Sequence, residues 1–336
     1  LDKSLAIYKK AIKIYPNNSK ICYNLANLYK LLDNNKKAIF YFKKSIELDP
    51  NNLNCRSNLG TILLSIGKFK EAESQLRICI KNQPDNPIYN LNLATVLKSL
   101  DKLQEAEFYA NKTLKIMPNL VEAYNNLGTI LVQKGEFIKA KLVFIKSLEL
   151  NHSSLVIYSN LCQLLLDLQD FKLAKVFIDE AIKIKNDHAI FHFLKGNILH
   201  ETNYIEEAIK SFEKALEIDN NFLKARWNLS LAQLLTNDFK NGWLNYESRL
   251  QMKEFNIHAK PKIPIWKGEK LSKDSNLIVI SEQGLGDTIH FMRYIPYLRS
   301  QGMNISFCAQ KVLHELIKVS DIHPHPILKD DVNLIK

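Results

Sequence analysis

A leucine recurs at a fixed step of 34 residues along this chain: Leu25, Leu59, Leu93, Leu127 and Leu161, with Leu229 two steps later and Lys195 in the skipped place. Ala38, Ala72, Ala106, Ala140, Ala174 and Ala208 keep the same step, and Gly242 continues it. Small residues follow the leucine column directly, at Ala26, Gly60, Ala94, Gly128, Cys162, Gly196 and Ser230. Pro16, Pro50, Pro84 and Pro118 close successive units before His152, Asn186 and Asn220 replace the proline. A shared register of this length specifies a repeat array, in which each unit buries its apolar faces only by stacking on its neighbours.

Within one unit, Ser19–Asn52, Leu25 and Tyr29 sit i, i+4 on one helical face, and Ala38, Phe42 and Ser45 sit at helical spacing on a second. Asp33-Asn34-Asn35 supplies the turn, and Pro50 ends the second helix. Small residues at the Ala26 and Ala38 positions allow close approach of the two helices. The expected product is a right-handed α-solenoid with a concave groove. These positions resemble the tetratricopeptide repeat (TPR), a likeness that spans residues 1 to about 250. It divides residues 1–252 into a half-unit, six full repeats and a degenerate unit at 223–252. Residues 1–18 match only a second helix, through Tyr8, Ala11 and Pro16, so the chain is expected to begin mid-repeat as part of a longer protein.

In that fold the first helices line the groove. Asn24, Asn58, Asn92, Asn126 and Asn160 share one position there, with Leu194 interrupting and Asn228 resuming. Asn27, Thr61, Thr95, Thr129, Gln163 and Asn197 lie three residues on; Tyr23, Ser57, Leu91, Asn125 and Ser159 lie one residue earlier. The groove therefore reads as neutral, rich in amides and hydroxyls that pair with the N–H and C=O groups of an extended polypeptide. The asparagine column resembles the ladder in the superhelix of O-GlcNAc transferases, which implies peptide binding. The alternative is that these amides satisfy neighbouring backbone or water. Lysines of the kind found in chaperone-tail clamps are absent from the Tyr23/Ser57/Leu91 position.

After Arg249 the register fails. Residues 253–275, with Pro261, Pro264, Trp266 and Gly268, read as a linker, and residues 276–336 as the start of an α/β Rossmann-like domain. Leu277–Ser281 predicts a buried strand, Thr288–Ser300 a helix, Asn304–Ala309 a second strand, Val312–Val319 a second helix, and Val332 the start of a third strand. Glu282-Gln283-Gly284-Leu285-Gly286-Asp287 forms the first turn. It fails the dinucleotide fingerprint, because Ile289 stands at the third glycine, and it lacks the Gly-Lys-Ser/Thr ending of a phosphate loop. The run Trp243…Tyr246-Glu247…Arg249…Pro264…Trp266…Gly268, then Glu282–Thr288, then Arg293-Tyr294, resembles bacterial TPR proteins with a heptosyltransferase-like domain. That resemblance implies a two-Rossmann GT-B fold, a nucleotide-sugar donor and Asp287 as general base toward the acceptor hydroxyl. Gly284, Gly286 and Arg293 are then candidate acceptor or substrate contacts. Against this, Asp287 reads equally as a helix cap, Arg293 as a partner for Glu282, and His290 departs from the amide the family has there. A second Rossmann domain is missing from the chain, as are the motifs of O-GlcNAc transferase catalytic domains. The chain alone is accordingly expected to be inactive, without cofactor, and to be either the substrate-recruiting part of a larger glycosyltransferase or a stand-alone adaptor.

Composition narrows the remaining classes. Of 46 basic residues against 35 acidic ones, only six are arginine (Arg56, Arg77, Arg226, Arg249, Arg293, Arg299), so the net +11 reads as lysine on solvated helix faces rather than specific nucleic-acid recognition. No apolar run reaches the roughly 18 residues of a membrane span. Cys22, Cys55, Cys79, Cys162 and Cys308 are dispersed, without a Cys-x-x-Cys pair. They predict small buried thiols in a reducing, cytoplasmic setting, with no disulfide frame or metal site. His323-Pro324-His325-Pro326 and the pair His188/His192 are too isolated to argue for a metal.

Overall fold

The computed structural model describes residues 2–252, 263–266, 268–272, 275–282 and 284–333. By compactness the chain divides into residues 1–225 and 226–336. The first unit is helical throughout. A lone α1 (Asp2–Ile14) is followed by six pairs: α2 (Ser19–Leu31) with α3 (Asn35–Leu48), α4 (Leu53–Ser65) with α5 (Phe69–Asn82), α6 (Pro87–Ser99) with α7 (Leu103–Ile116), α8 (Val121–Gln133) with α9 (Phe137–Leu150), α10 (Leu155–Asp167) with α11 (Phe171–Ile184), and α12 (Ala189–Glu201) with α13 (Ile205–Ile218). α14 (Leu223–Leu235) crosses the division, and α15 (Phe239–Tyr246) runs into a 3-10 turn at Glu247–Gln251.

The alanine column sits where helices touch: Ala38, Ala72, Ala106, Ala140, Ala174 and Ala208 are all fully buried. At three of the small positions a glycine faces the residue 16 positions on. A Cβ added to Gly128 would lie 2.4 Å from the Phe144 ring, one added to Gly196 2.4 Å from Phe212, and one added to Gly60 2.9 Å from Leu76. One continuous apolar core results, running from Leu25 to Ile198, with Leu5, Tyr8 and Ile12 of α1 packed against its near end. Each first helix also packs on the next, α4 on α6, α6 on α8, α8 on α10 and α10 on α12. The first helices therefore form the inner row, and the second helices the outer one.

Turn chemistry follows the repeat as well. Asp33, Gly67, Asp101, Gly135, Gln169, Asn203 and Asn237 stand 34 apart, and all have positive φ, between 54° and 78°. This left-handed residue closes each first helix, a position that glycine, asparagine and aspartate occupy at least steric cost. Asparagine also caps helix starts: Asn18 Oδ1 accepts from Ile21 N–H, Asn34 from Lys37 N–H, Asn52 from Cys55 N–H and Asn86 from Tyr89 N–H. All five cysteines are free and buried, and burial pushes the Cys162 thiol up to about 12. No described helix is long and apolar enough to cross a membrane.

In the second unit, β1 (Asn276–Ile280) pairs in parallel with β2 (Asn304–Cys308), from Asn276 opposite Asn304 to Ile280 opposite Cys308. Between them the expected single helix is two, α16 (Leu285–Phe291) and α17 (Tyr294–Ser300). Pro296, near the start of α17, has no N–H to continue the ladder, so the chain restarts there. A 3-10 turn, Lys311–Leu313, precedes α18 (His314–Val319). Ile295, Phe307, Leu313 and Ile317 pack together, with Val279 against them, whereas Val332 and Cys308 pack with Ile278 and Ile280. The third strand expected at Val332 does not form. Val332 lies on α19 (Lys329–Asn333), and only Ile327 reaches the sheet, as one parallel bridge to Cys308. Pro324 and Pro326 cannot donate to a ladder, and the Asp331 carboxylate accepts the Leu328 N–H at 3.2 Å, which starts the helix. The sheet among the described residues thus has two strands, fewer than a Rossmann domain requires. Of the expected linker, 253–262 lies outside the described residues, as does Gln283 of the turn.

Gly128→Ala is expected to cost about 1–3 kcal/mol through overpacking on Phe144. Phe144→Leu in the same chain should recover part of that loss. A double-mutant cycle in urea measures the coupling, and additive losses would show that the two residues do not share the constraint.

Candidate functional site

The asparagine column lies on the inner row, and its amide N–H groups are committed within the array. Each bond links one unit to the one before it. Asn24 Nδ2 donates to Tyr8 Oη at 3.2 Å. Asn58 Nδ2 donates to Tyr23 Oη at 3.2 Å and to Asn27 Oδ1 at 3.0 Å. Asn92 Nδ2 donates to Ser57 Oγ at 3.0 Å, Asn126 Nδ2 to Thr95 Oγ1 at 3.1 Å, and Asn160 Nδ2 to Asn125 Oδ1 at 2.8 Å. From Asn58 to Asn160 the acceptors come from the two flanking columns, so the three columns act as one ladder down the row of first helices, whereas Asn24 bonds Tyr8 of α1. Among the described residues no hydrogen bond engages the Oδ1 atoms of these five asparagines, and none of those atoms is sealed from solvent. Each amide therefore has its donor committed within the array and its oxygen without a hydrogen bond among the described residues, Asn126 being 6% exposed as a whole. At the sixth unit Leu194, 2% exposed, interrupts the column.

The threonines of the ladder carry a second load. Thr61 Oγ1 donates to Asn58 O at 2.8 Å and accepts from Lys30 Nζ at 3.0 Å. Thr129 Oγ1 donates to Asn126 O at 2.9 Å and accepts from Lys98 Nζ at 2.9 Å. Burial lowers the pKa of both lysines. Sequence reading missed these two cations because Leu64, Val132 and Leu166 stand at the equivalent places, which hides any column.

In the second unit, Asp287 lies on the first turn of α16, three residues after the N-cap Gly284, and is exposed. The N-cap residue is a glycine and supplies no side-chain cap bond, and Asp287 is the one acidic residue of the first turn. Gly284 has φ −62°, and a Cβ on it would meet only Asp287 Oδ2, at 3.6 Å; a Cβ on Gly286 would meet nothing within 4 Å. Neither backbone conformation nor packing requires glycine at these places. Arg293 does not pair with Glu282: its Nη2 lies 3.1 Å from His290 Nε2, and its guanidinium lies over the Tyr294 ring. Glu282 instead takes Arg249 in a fork, Nε to Oε2 at 2.9 Å and Nη2 to Oε1 at 3.1 Å, while Arg249 also stacks on Tyr246. The Tyr246-Glu247…Arg249 run thereby ties the 3-10 turn to the end of β1. His323 is used inside the fold, with Nε2 on Ile305 O at 2.9 Å and Nδ1 accepting the His325 N–H. His192 Nε2 is held by Asn186 O at 2.7 Å. Among the described residues no group of His, Cys, Asp or Glu is arranged to hold a metal.

Tetratricopeptide-repeat models match residues 19–52, 41–74, 121–153 and 156–188, and a TPR-repeat model matches 196–236. The matched helix pairs are therefore tetratricopeptide repeats. Among solved structures, the chain is similar to a tetratricopeptide repeat protein from Parabacteroides merdae, at TM-score 0.57 and 16% identity over 68% of this chain and 91% of that one. It is also similar to the APC/C hetero-tetramer Cut9–Hcn1, at TM-score 0.58 and 17% identity over 68% of this chain and 45% of that one. PilF of Pseudomonas aeruginosa matches at TM-score 0.53 and 18% identity, over 62% and 95% of the two chains. At these identities the likeness establishes the fold. No curated protein sequence matches the chain.

The ladder bonds have a measurable structural share. Asn92→Ala should lower stability by about 1 kcal/mol through loss of the bond to Ser57. The expected result is a lower urea midpoint with an unchanged slope. An unchanged midpoint would mean the ladder contributes nothing to stacking.

Proposed function

We propose that the repeat array is a protein-interaction scaffold whose inner row of first helices binds an extended polypeptide. The observation that carries this reading is the asparagine column. Five carboxamide oxygens, one per unit, are held in fixed orientation by their own N–H bonds and remain available as acceptors. Fixing each amide before the ligand arrives reduces the ordering cost of binding. Backbone N–H groups of an extended chain supply the matching donors whatever its side chains. The test is a dodecapeptide selected on the full chain from a random phage-displayed library. Asn92→Ala combined with Asn126→Ala should weaken its binding at least tenfold while far-UV circular dichroism stays helical. Unchanged affinity sinks the reading.

The substrate-recruiting role in a glycosyltransferase is the finer reading, with a stand-alone adaptor as its alternative. Its support is the resemblance through residues 243–294, the parallel β1–β2 unit, and an exposed carboxylate at Asp287 beside two glycines that neither φ nor packing explains. Glycines of that kind suit close approach of a substrate to the backbone. Asp287 would then take the acceptor hydroxyl's proton, while the nucleotide sugar would be held by a donor domain outside residues 1–336. In a longer chain carrying such a domain, Asp287→Asn should slow sugar transfer by roughly 100-fold or more, as expected for loss of a general base. Equal rates for the two proteins would refute the assignment.

A further inference from the structure

The charge along the inner row is unevenly distributed. The first helices α2, α4 and α6 carry Lys20, Lys30, Arg56 and Lys98 and no acidic residue. The next three, α8, α10 and α12, carry Glu122, Asp167 and Glu201, with Lys195 as their one lysine. Lys195 is paired with Asp179 at 2.9 Å, and Arg56 is held by Pro50 O and by Gln75 Oε1. Several cations near the second helices are paired with carboxylates, Lys102 with Glu73, Arg77 with Glu105 and Lys141 with Asp170. Lys30 and Lys98 differ. Among the described residues each ammonium has one hydroxyl partner and no carboxylate.

That hydroxyl partner also holds each lysine in place. Thr61 and Thr129 spend their own protons on backbone carbonyls of the asparagine column, so their lone pairs face the lysines. Both ammonium groups thereby rest on a hydroxyl of the inner row, Lys30 exposed and Lys98 half-buried. Partial burial disfavours the charged form at both sites, a cost that a carboxylate from a ligand would offset. The two lysines are two units apart. With first helices spaced about 10 Å from one to the next, the separation is about 20 Å, which an extended chain spans in about six residues.

We propose that the half of the groove between Lys30 and Lys98 takes an acidic polypeptide segment, two of whose carboxylates, about six residues apart, meet these two ammonium groups. This rests on the reading of the groove as a polypeptide site and names the chemistry of its partner. Glu122, Asp167 and Glu201 in the following units set the polarity, disfavouring continued acidic sequence toward α12.

Random dodecapeptides displayed on phage and selected on the full chain provide the test. The expected result is enrichment of Asp and Glu, with binding that weakens steeply as salt rises. Lys30→Met with Lys98→Met keeps the aliphatic stems and removes the charges, and should weaken the selected peptides at least tenfold. Lys30→Glu with Lys98→Glu should redirect selection to basic peptides. Selected peptides without acidic enrichment, or insensitive to the Met pair yet weakened by Asn92→Ala with Asn126→Ala, would overturn this proposal and leave the groove reading standing. Peptides insensitive to both pairs, or no selection at all, would overturn both.

Discussion

The close approach of the two helices within a unit carries the rest of the structure. Where Gly128 meets Phe144 and Gly196 meets Phe212, the space for a Cβ is already taken by a ring, so the small partner is fixed by the large one 16 residues on. The equivalent positions of two other units hold Ala26 with Phe42 and Cys162 with Ile178, all fully buried. The pair cannot slide or rotate without driving a ring into backbone, because interiors are packed to crystal density. Once that angle is set, each pair presents the same apolar faces to the next, and the core extends from unit to unit.

Stacking alone does not settle the relation of one first helix to the next, since apolar contact has no direction. The polar ladder supplies direction. Asn58 reaching Tyr23 and Asn27, Asn92 reaching Ser57 and Asn126 reaching Thr95 link adjacent units by directed bonds at one level of the inner row. The function proposed for the groove follows from the same arrangement. An amide whose N–H is occupied holds its oxygen still, and a lysine anchored on a threonine holds its charge still. Structural bonds thus orient binding groups, so a substitution in the column affects stability and recognition together.

The helix pairs were legible from sequence because their packing is local: Leu25, Ala26, Ala38 and Phe42 lie within one unit and repeat in the next. The asparagine column was legible as a column, but the fate of each amide was not, since its partner lies 16, 31 or 35 residues earlier on a different helix. Two periodic signals were present and unread. Asp33, Gly67, Asp101, Gly135, Gln169, Asn203 and Asn237 mark the left-handed turn, and the varied side chains conceal that they share one backbone requirement. The asparagines before α2, α3, α4 and α6 are helix caps, a role that the column spacing did not single out.

The region after residue 250 was less legible, because no repeat averages out local accidents there. Both strands appear where the apolar runs predict them, yet the segment around Val332 became a helix once Asp331 capped it and two prolines blocked the ladder. Arg249 was read with its neighbours in a motif, while its partner Glu282 lies 33 residues away. The sequence by itself determined the repeat, its period, the small positions where helices meet and the asparagine column, because those depend on spacing within a single helix pair. Only the tertiary structure decided which half of each amide is bonded, where Arg249 and Arg293 point, and that Lys30 and Lys98 stand in the groove without carboxylates. Those outcomes depend on directed bonds and charge pairing between units, for which linear spacing carries no rule.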